Sequence, residues 1–218
     1  MSDQTTTHQP AFEVPPVTRR APVEHEILDV IAERWSPRAI DPDRPVERDK
    51  VLRLLEAGRW AASSGNVQPW RYLVFDDEVP EAREQARGYL NPGNAWALKA
   101  PLLMMSIVRT TFPEGHANEG KPHRVALHDV GAASAFMALQ APQLGLVLHQ
   151  MGGFKVAEAK EGFALPEDQD PVAMIAVGYP GRVLDLPEKD LVREDQPRKR
   201  HPIPDRFFHG ELGRGFGA

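Results

Sequence analysis

The sequence predicts one domain of mixed helix and strand. Four short apolar runs with strand character, at 72–75, 102–108, 146–149 and 173–177, are separated by stretches whose apolar residues recur at helical spacing. A length of 218 residues and a hydrophobic fraction of 41% suit a single core, and no internal repeat points to an array.

Taken in order, residues 1–21 read as a disordered leader, since TTTHQP and VPPV carry no periodicity and little to bury. The domain proper is expected over 22–181. From Pro22, Val23, Ile27, Leu28 and Ile31 follow helical spacing, with Glu24 and Glu26 in the first turn. That helix should stop near Arg34, because Ser36 precedes Pro37 and is pushed toward extended geometry. A second helix is predicted over 47–61, with Val51, Leu54, Leu55 and Gly58 on one stripe. The strongest helix signal covers 124–144, where Val125, Leu127, Val130, Ala133, Phe136, Met137 and Leu139 lie nearly all round the helix. A helix of that kind is buried, in a core or against a second subunit. Pro142 in its last turn should kink or end it. One more short helix is expected over 155–163. After Gly178-Tyr179-Pro180-Gly181 apolar residues thin out, so 182–218 is expected as an extended arm rather than a core element.

Bulk properties narrow the function. A net charge of −5 and a pI near 5.9 argue against a dedicated nucleic-acid surface. No apolar run reaches the length of a membrane span, and the polar, proline-rich start has no signal-peptide core. The chain has no cysteine, which excludes disulfides, thiolate nucleophiles and cysteine-held metals and makes the cytoplasm the expected compartment. Neither G-x-G-x-x-G after a strand nor G-x-x-x-x-G-K occurs, so a Rossmann or P-loop site is not expected. His123 and His128 are five apart, a poor fit to a helical metal pair, and no metal site is predicted. His149 reads as a core or near-site residue, and the loop 110–122 as a candidate lid.

Five segments carry groups suited to binding. Arg34-Trp35-Ser36-Pro37-Arg38 offers two guanidinium forks and a hydroxyl, which equip it to hold a phosphate. The same arginines at a helix end would equally suit the helix dipole. In Ser63-Ser64-Gly65-Asn66-Val67-Gln68-Pro69-Trp70, the Asn66 and Gln68 amides both donate and accept. Ser63 and Ser64 there read equally as a turn, and Trp70 as core packing. Asn91-Pro92-Gly93-Asn94-Ala95-Trp96 is by itself a turn. In Leu148-His149-Gln150-Met151-Gly152-Gly153-Phe154, adjacent glycines after a strand permit close approach of a flat ligand. Pro197-Arg198-Lys199-Arg200-His201 is a charge run that alone would read as a solvated face.

Together and in this order, the segments resemble the FMN-dependent nitroreductase family, over about residues 24–202. The resemblance implies an α+β fold with a mainly antiparallel central sheet flanked by helices, in an intertwined homodimer with FMN between the subunits. It implies that Arg34, Ser36 and Arg38 hold the FMN phosphate, joined by Arg198 and Arg200 from an arm that crosses onto the partner. Ser63, Ser64, Asn66, Gln68 and Asn94 would meet a flavin, the serines on the neighbour's copy, while Gly152 and Gly153 present backbone N–H groups to its N5 and O4 side. Some members carry a carboxylate where this chain has Gly152, so no acid–base role is assigned there, and no side chain is assigned as catalytic. The activity implied is two-step hydride transfer, from NADH or NADPH to flavin and on to a small-molecule nitroaromatic, quinone or similar acceptor. A non-catalytic flavin carrier, a dehalogenase or a flavin-fragmenting enzyme are the alternatives.

Overall fold

The structure, a computed structural model, describes residues 16–217. Helices α1 (Asp29–Glu33), α2 (Arg48–Arg59), α3 (Pro80–Gly88), α4 (Ala126–Gln143), α5 (Val156–Gly162) and α6 (Glu188–Asp195) surround strands β1 (Trp70–Phe75), β2 (Leu102–Arg109), β3 (Val147–Met151) and β4 (Gln169–Gly178). Turns of 3-10 helix at Ser64–Asn66 and Pro92–Lys99 precede β1 and β2. The strands form one antiparallel sheet in the order β1-β2-β4-β3, so β1 and β3 are its two edges.

Both faces of the sheet are covered, which explains the apolar run of β2, interrupted by buried Ser106, whose hydroxyl donates to the Ala173 carbonyl. Leu103, Met105 and Ile107 point into a core with Leu90, Trp96 and Phe154. Leu102 and Met104 point the other way, against Leu54 of α2 and Met137 of α4. Trp70 packs beside Val108, Ala126 and Val130, as a core residue at the strand entrance.

The long helix forms as expected, with Pro142 in its final turn and the helix ending at Gln143. Its buried side is less apolar than its sequence: Asp129 and Ser134 are buried, and Ser134 is hydrogen-bonded to the Tyr72 hydroxyl at 2.8 Å. Its outer side leaves Leu127 61% exposed and Phe136 43% exposed.

Three elements depart from the sequence reading. The first helix is confined to Asp29–Glu33 and does not begin at Pro22. The Arg19 and Ala21 amides instead donate to the Glu33 and Ala32 carbonyls, folding the chain back along α1. Leu28 is 70% exposed, so it is left unburied among the described residues, and short helices depend on such burial. Helix α3 was not expected; Pro80 starts it and Ala86 is its buried residue. Helix α6 forms inside the predicted arm, held by buried Asp190 and Glu194 rather than by apolar side chains. Of the expected leader, residues 1–15 lie outside the described residues.

Helices α2 and α4 meet at Gly58, where an added Cβ would lie 3.1 Å from Met137 Cγ and 3.4 Å from the Ala133 carbonyl. Gly58→Val should therefore lower stability by about 1–3 kcal/mol through overpacking, read as a fall in the urea midpoint at unchanged slope.

Candidate functional site

Two distant parts of the chain build a cationic cavity of about 670 Å³. Arg34 lies just past the end of α1, and its Nη1 donates to Ser36 Oγ at 3.1 Å. Arg198 comes from beyond α6 and donates to the Ala32 carbonyl at 2.6 Å and to the Arg19 carbonyl. Arg34, Arg198, Lys199 and Arg200 line the cavity together with Ile27 and Ile31. Burial, then the charge of Arg200, lowers the affinity of Arg34 for its proton. Burial, then Arg34, Arg200 and Arg19, does the same to Arg198. These guanidinium groups repel one another, and a bound anion would relieve that repulsion.

Arg38 is set apart from this group. Its Nε lies 3.8 Å from Asp190 Oδ1 and its Nη1 3.8 Å from Glu194 Oε2. Its backbone amide also donates to the Glu194 carboxylate, at 3.0 and 3.1 Å, and the Ala39 amide adds a contact at 3.5 Å.

His149 of β3 joins three of the segments picked out in the sequence. Its Nδ1 lies 3.0 Å from the Pro37 carbonyl; a carbonyl only accepts, so Nδ1 carries the proton. Its ring packs 4.6 Å from that of Trp96. Burial above all, helped by the charges of Arg38 and Arg34 and opposed by the Pro37 bond, pushes its pKa down to about 4. Past β3, the Gly153 carbonyl accepts from Asn94 Nδ2 at 2.8 Å and from the Asn91 amide at 3.2 Å. A Cβ on Gly153 would lie 2.8 Å from Asn94 Nδ2, so glycine is needed for that bond. A Cβ on exposed Gly152 would meet nothing within 4 Å among the described residues.

The 63–68 segment lies elsewhere. It leads into β1, the edge opposite β3, and the Ser64 amide ties it to Asp129 Oδ2 on α4 at 3.0 Å. Gln68 Nε2 donates to Asn66 Oδ1 at 3.0 Å, and the Gln68 amide donates to Ser63 Oγ at 3.1 Å. Gly65, Asn66 and Gln68 all take left-handed conformations, with φ of 58°, 56° and 50°. For asparagine this is tolerated, but for glutamine it is uncommon, and such strain is retained where the surroundings impose it. Three strand spacings separate the two edges, roughly 14 Å at about 4.8 Å each.

The structure thus brings Arg34, Ser36, Arg198 and Arg200 together, couples Asn94 to Gly153 beside Gly152, and places Ser63, Ser64, Asn66 and Gln68 across the sheet. Arg19, Asp190 and Glu194 escaped the sequence reading. Arg19 sits in the predicted leader, and the two acids look like ordinary solvated charges in a polar arm. The 110–122 loop closes on itself through the Thr111–Pro122 bridge, and Thr111 Oγ1 donates to Asp168 at 2.8 Å.

Residues 31–179 match the model of the Nitroreductase family. A 15.4 kDa protein of Mycolicibacterium smegmatis is 31% identical over 140 residues, covering 63% of this chain and 88% of its own. The major NAD(P)H-flavin oxidoreductase of Aliivibrio fischeri is 34% identical over 59 residues, 27% of each chain. A solved structure described as an oxidoreductase containing FMN superposes with a TM-score of 0.82 at 32% identity, covering 89% of this chain and 96% of that one.

The low pKa of His149 has a consequence for stability. An unfolded histidine titrates near about 6.5. As the pH falls, the unfolded chain takes up the proton first, so the stability present above about pH 6.5 is lost progressively toward pH 4. His149→Asn should flatten the dependence of unfolding free energy on pH across that window, as measured by urea denaturation. An unchanged slope would assign it to other groups.

Proposed function

The chain belongs to the nitroreductase family, and on that premise we propose that it works as an FMN-dependent NAD(P)H oxidoreductase in a homodimer. The observation that carries this reading is the convergence of Arg34, Arg198 and Arg200, from opposite ends of the chain, on one cavity beside Ser36. Clustered guanidinium forks and a hydroxyl are a donor set for a dianionic phosphate. When bound, FMN would supply the redox chemistry, accepting hydride from NADH or NADPH and passing electrons to a nitroaromatic, quinone or similar acceptor.

The rest of the site orients that group. Arg34, Arg198 and Arg200 bind the phosphate, and Ser36 is oriented by Arg34. Asn94 spends one of its two amide hydrogens on the Gly153 carbonyl, which leaves the other hydrogen and its oxygen for a ring's acceptors and N–H. Gly152 keeps the approach above β3 open. His149, neutral at ordinary pH, holds the Pro37 carbonyl without adding a charge. No side chain is assigned as a general acid or base.

A second copy fits the sheet, because the 63–68 segment and the Gly152-Gly153 turn lie at its opposite edges. In a homodimer, Ser63, Ser64, Asn66 and Gln68 of one subunit would serve the flavin of the other. Exposed Leu28 and Leu127 supply apolar surface for such an interface. Among the described residues no helix is long and apolar enough to cross a membrane. A nicotinamide-driven reductase fits the cytoplasm, where reduced nicotinamide is maintained.

Purified protein should carry or take up FMN, lose its flavin colour on anaerobic addition of NADH or NADPH, and regain it with a quinone; absence of flavin uptake would overturn the reading, and slow bleaching would favour a carrier. Arg34→Ala should weaken FMN binding about 10- to 100-fold, the loss of one charge-assisted contact, and flatten its salt dependence, while riboflavin binding stays the same. Leu28→Asp should shift the protein from dimer toward monomer in sedimentation and lower FMN retention with it.

A further inference from the structure

We propose that Arg38 is a positioning residue rather than a phosphate ligand: clipped to Asp190 and Glu194 of α6, it holds the C-terminal arm so that Arg198 and Arg200 meet the anion beside Arg34. The proposal rests on the FMN reading above and assigns the arm's place in that site to one ion-pair cluster.

Asp190 is 0% exposed and Glu194 4% exposed. Buried carboxylates are costly unless paired and hydrogen-bonded. Glu194 is satisfied almost wholly by the 34–39 loop, through the Arg38 and Ala39 amides and the Arg38 guanidinium. Asp190 has Arg38 at 3.8 Å and Arg193 at 3.4 Å, and its Oδ2 has no partner. Turning Arg38 toward a phosphate would strip both acids of it and bring their negative charge against the anion. The charge of Arg38 is therefore used where it stands.

The clip also sets the geometry of the arm. Arg198 follows Glu194 by one helical turn's worth of residues, and its Nη1 bonds to the Ala32 carbonyl at the end of α1. Arg19 fastens the same junction from the other side, donating to the Glu194 carbonyl at 2.7 Å. With α6 anchored by its acids and Arg198 by α1, Arg200 is delivered to the cavity.

Two measurements on the full-length protein test this. The first is binding of FMN and of riboflavin, by flavin fluorescence, to wild type, Glu194→Gln, Arg38→Ala and the double variant. The clip requires Glu194→Gln to weaken FMN about tenfold with riboflavin unchanged, and the double variant to be no worse than the worse single one. If Arg38 contacts the phosphate, Glu194→Gln frees it and removes a nearby negative charge, so FMN binds more tightly; that result overturns the proposal. The second is hydrogen–deuterium exchange of residues 196–201 in FMN-free protein, comparing wild type with Arg38→Ala and with the milder Arg38→Lys. Faster exchange in Arg38→Ala supports the clip even if FMN does not bind, and unchanged exchange overturns it. Protein that binds no FMN yet shows the faster exchange would sink the flavin reading and leave the clip standing.

Discussion

The bond between His149 Nδ1 and the Pro37 carbonyl, 3.0 Å long and covered by Trp96, fixes the arginine-bearing loop against the edge of the sheet. It ties the loop directly to β3, while the Ile40–Pro180 bridge and the Gly181 amide on the Ala39 carbonyl hold the loop's far end to the end of β4. The imidazole suits this task because burial keeps it neutral. It donates one hydrogen bond without adding to the positive charge already gathered at Arg34 and Arg38. A lysine there would bring a further cation, and a leucine would leave the Pro37 carbonyl without its donor.

That charge is concentrated in a protein whose overall balance is −5. Arg34, Arg198 and Arg200 stand close enough to disturb one another, and no carboxylate is paired with them within salt-bridge distance among the described residues. A short way off, Asp190 and Glu194 face Arg38. The local arrangement is thus segregated: acids and one arginine tie the arm down, while the remaining arginines are left open to an anion. Segregation of this kind suits the bound phosphate proposed above.

The sheet imposes the second constraint. Its middle strands are buried on both faces, so ligand-facing groups must come from the ends and edges of the strands. The 63–68 loop enters at one edge and the paired glycines leave at the other. Left-handed backbone at Gly65, Asn66 and Gln68 keeps the first of these in a tight, outward-facing shape, pinned by buried Asp129. The homodimer proposed above would assemble the site from both edges and cover the apolar surface left beside α1 and on α4.

The amino-acid order by itself determined the strands, the long apolar helix and the segments with binding chemistry, because strand and helix periodicity and the chemistry of Arg34, Asn94, Gly153 and Arg198 are local properties. It overstated the first helix, since spacing alone does not reveal that Leu28 stays exposed among the described residues. It could not reveal α6, whose stability lies in a long-range pairing of Asp190 and Glu194 with Arg38 rather than in its own apolar content. Nor could it show that His149 is a junction, or that Arg38 parts company with Arg34. Those were decided by tertiary structure, because the energy of a buried charge or a lone carbonyl depends on which distant residue comes to meet it.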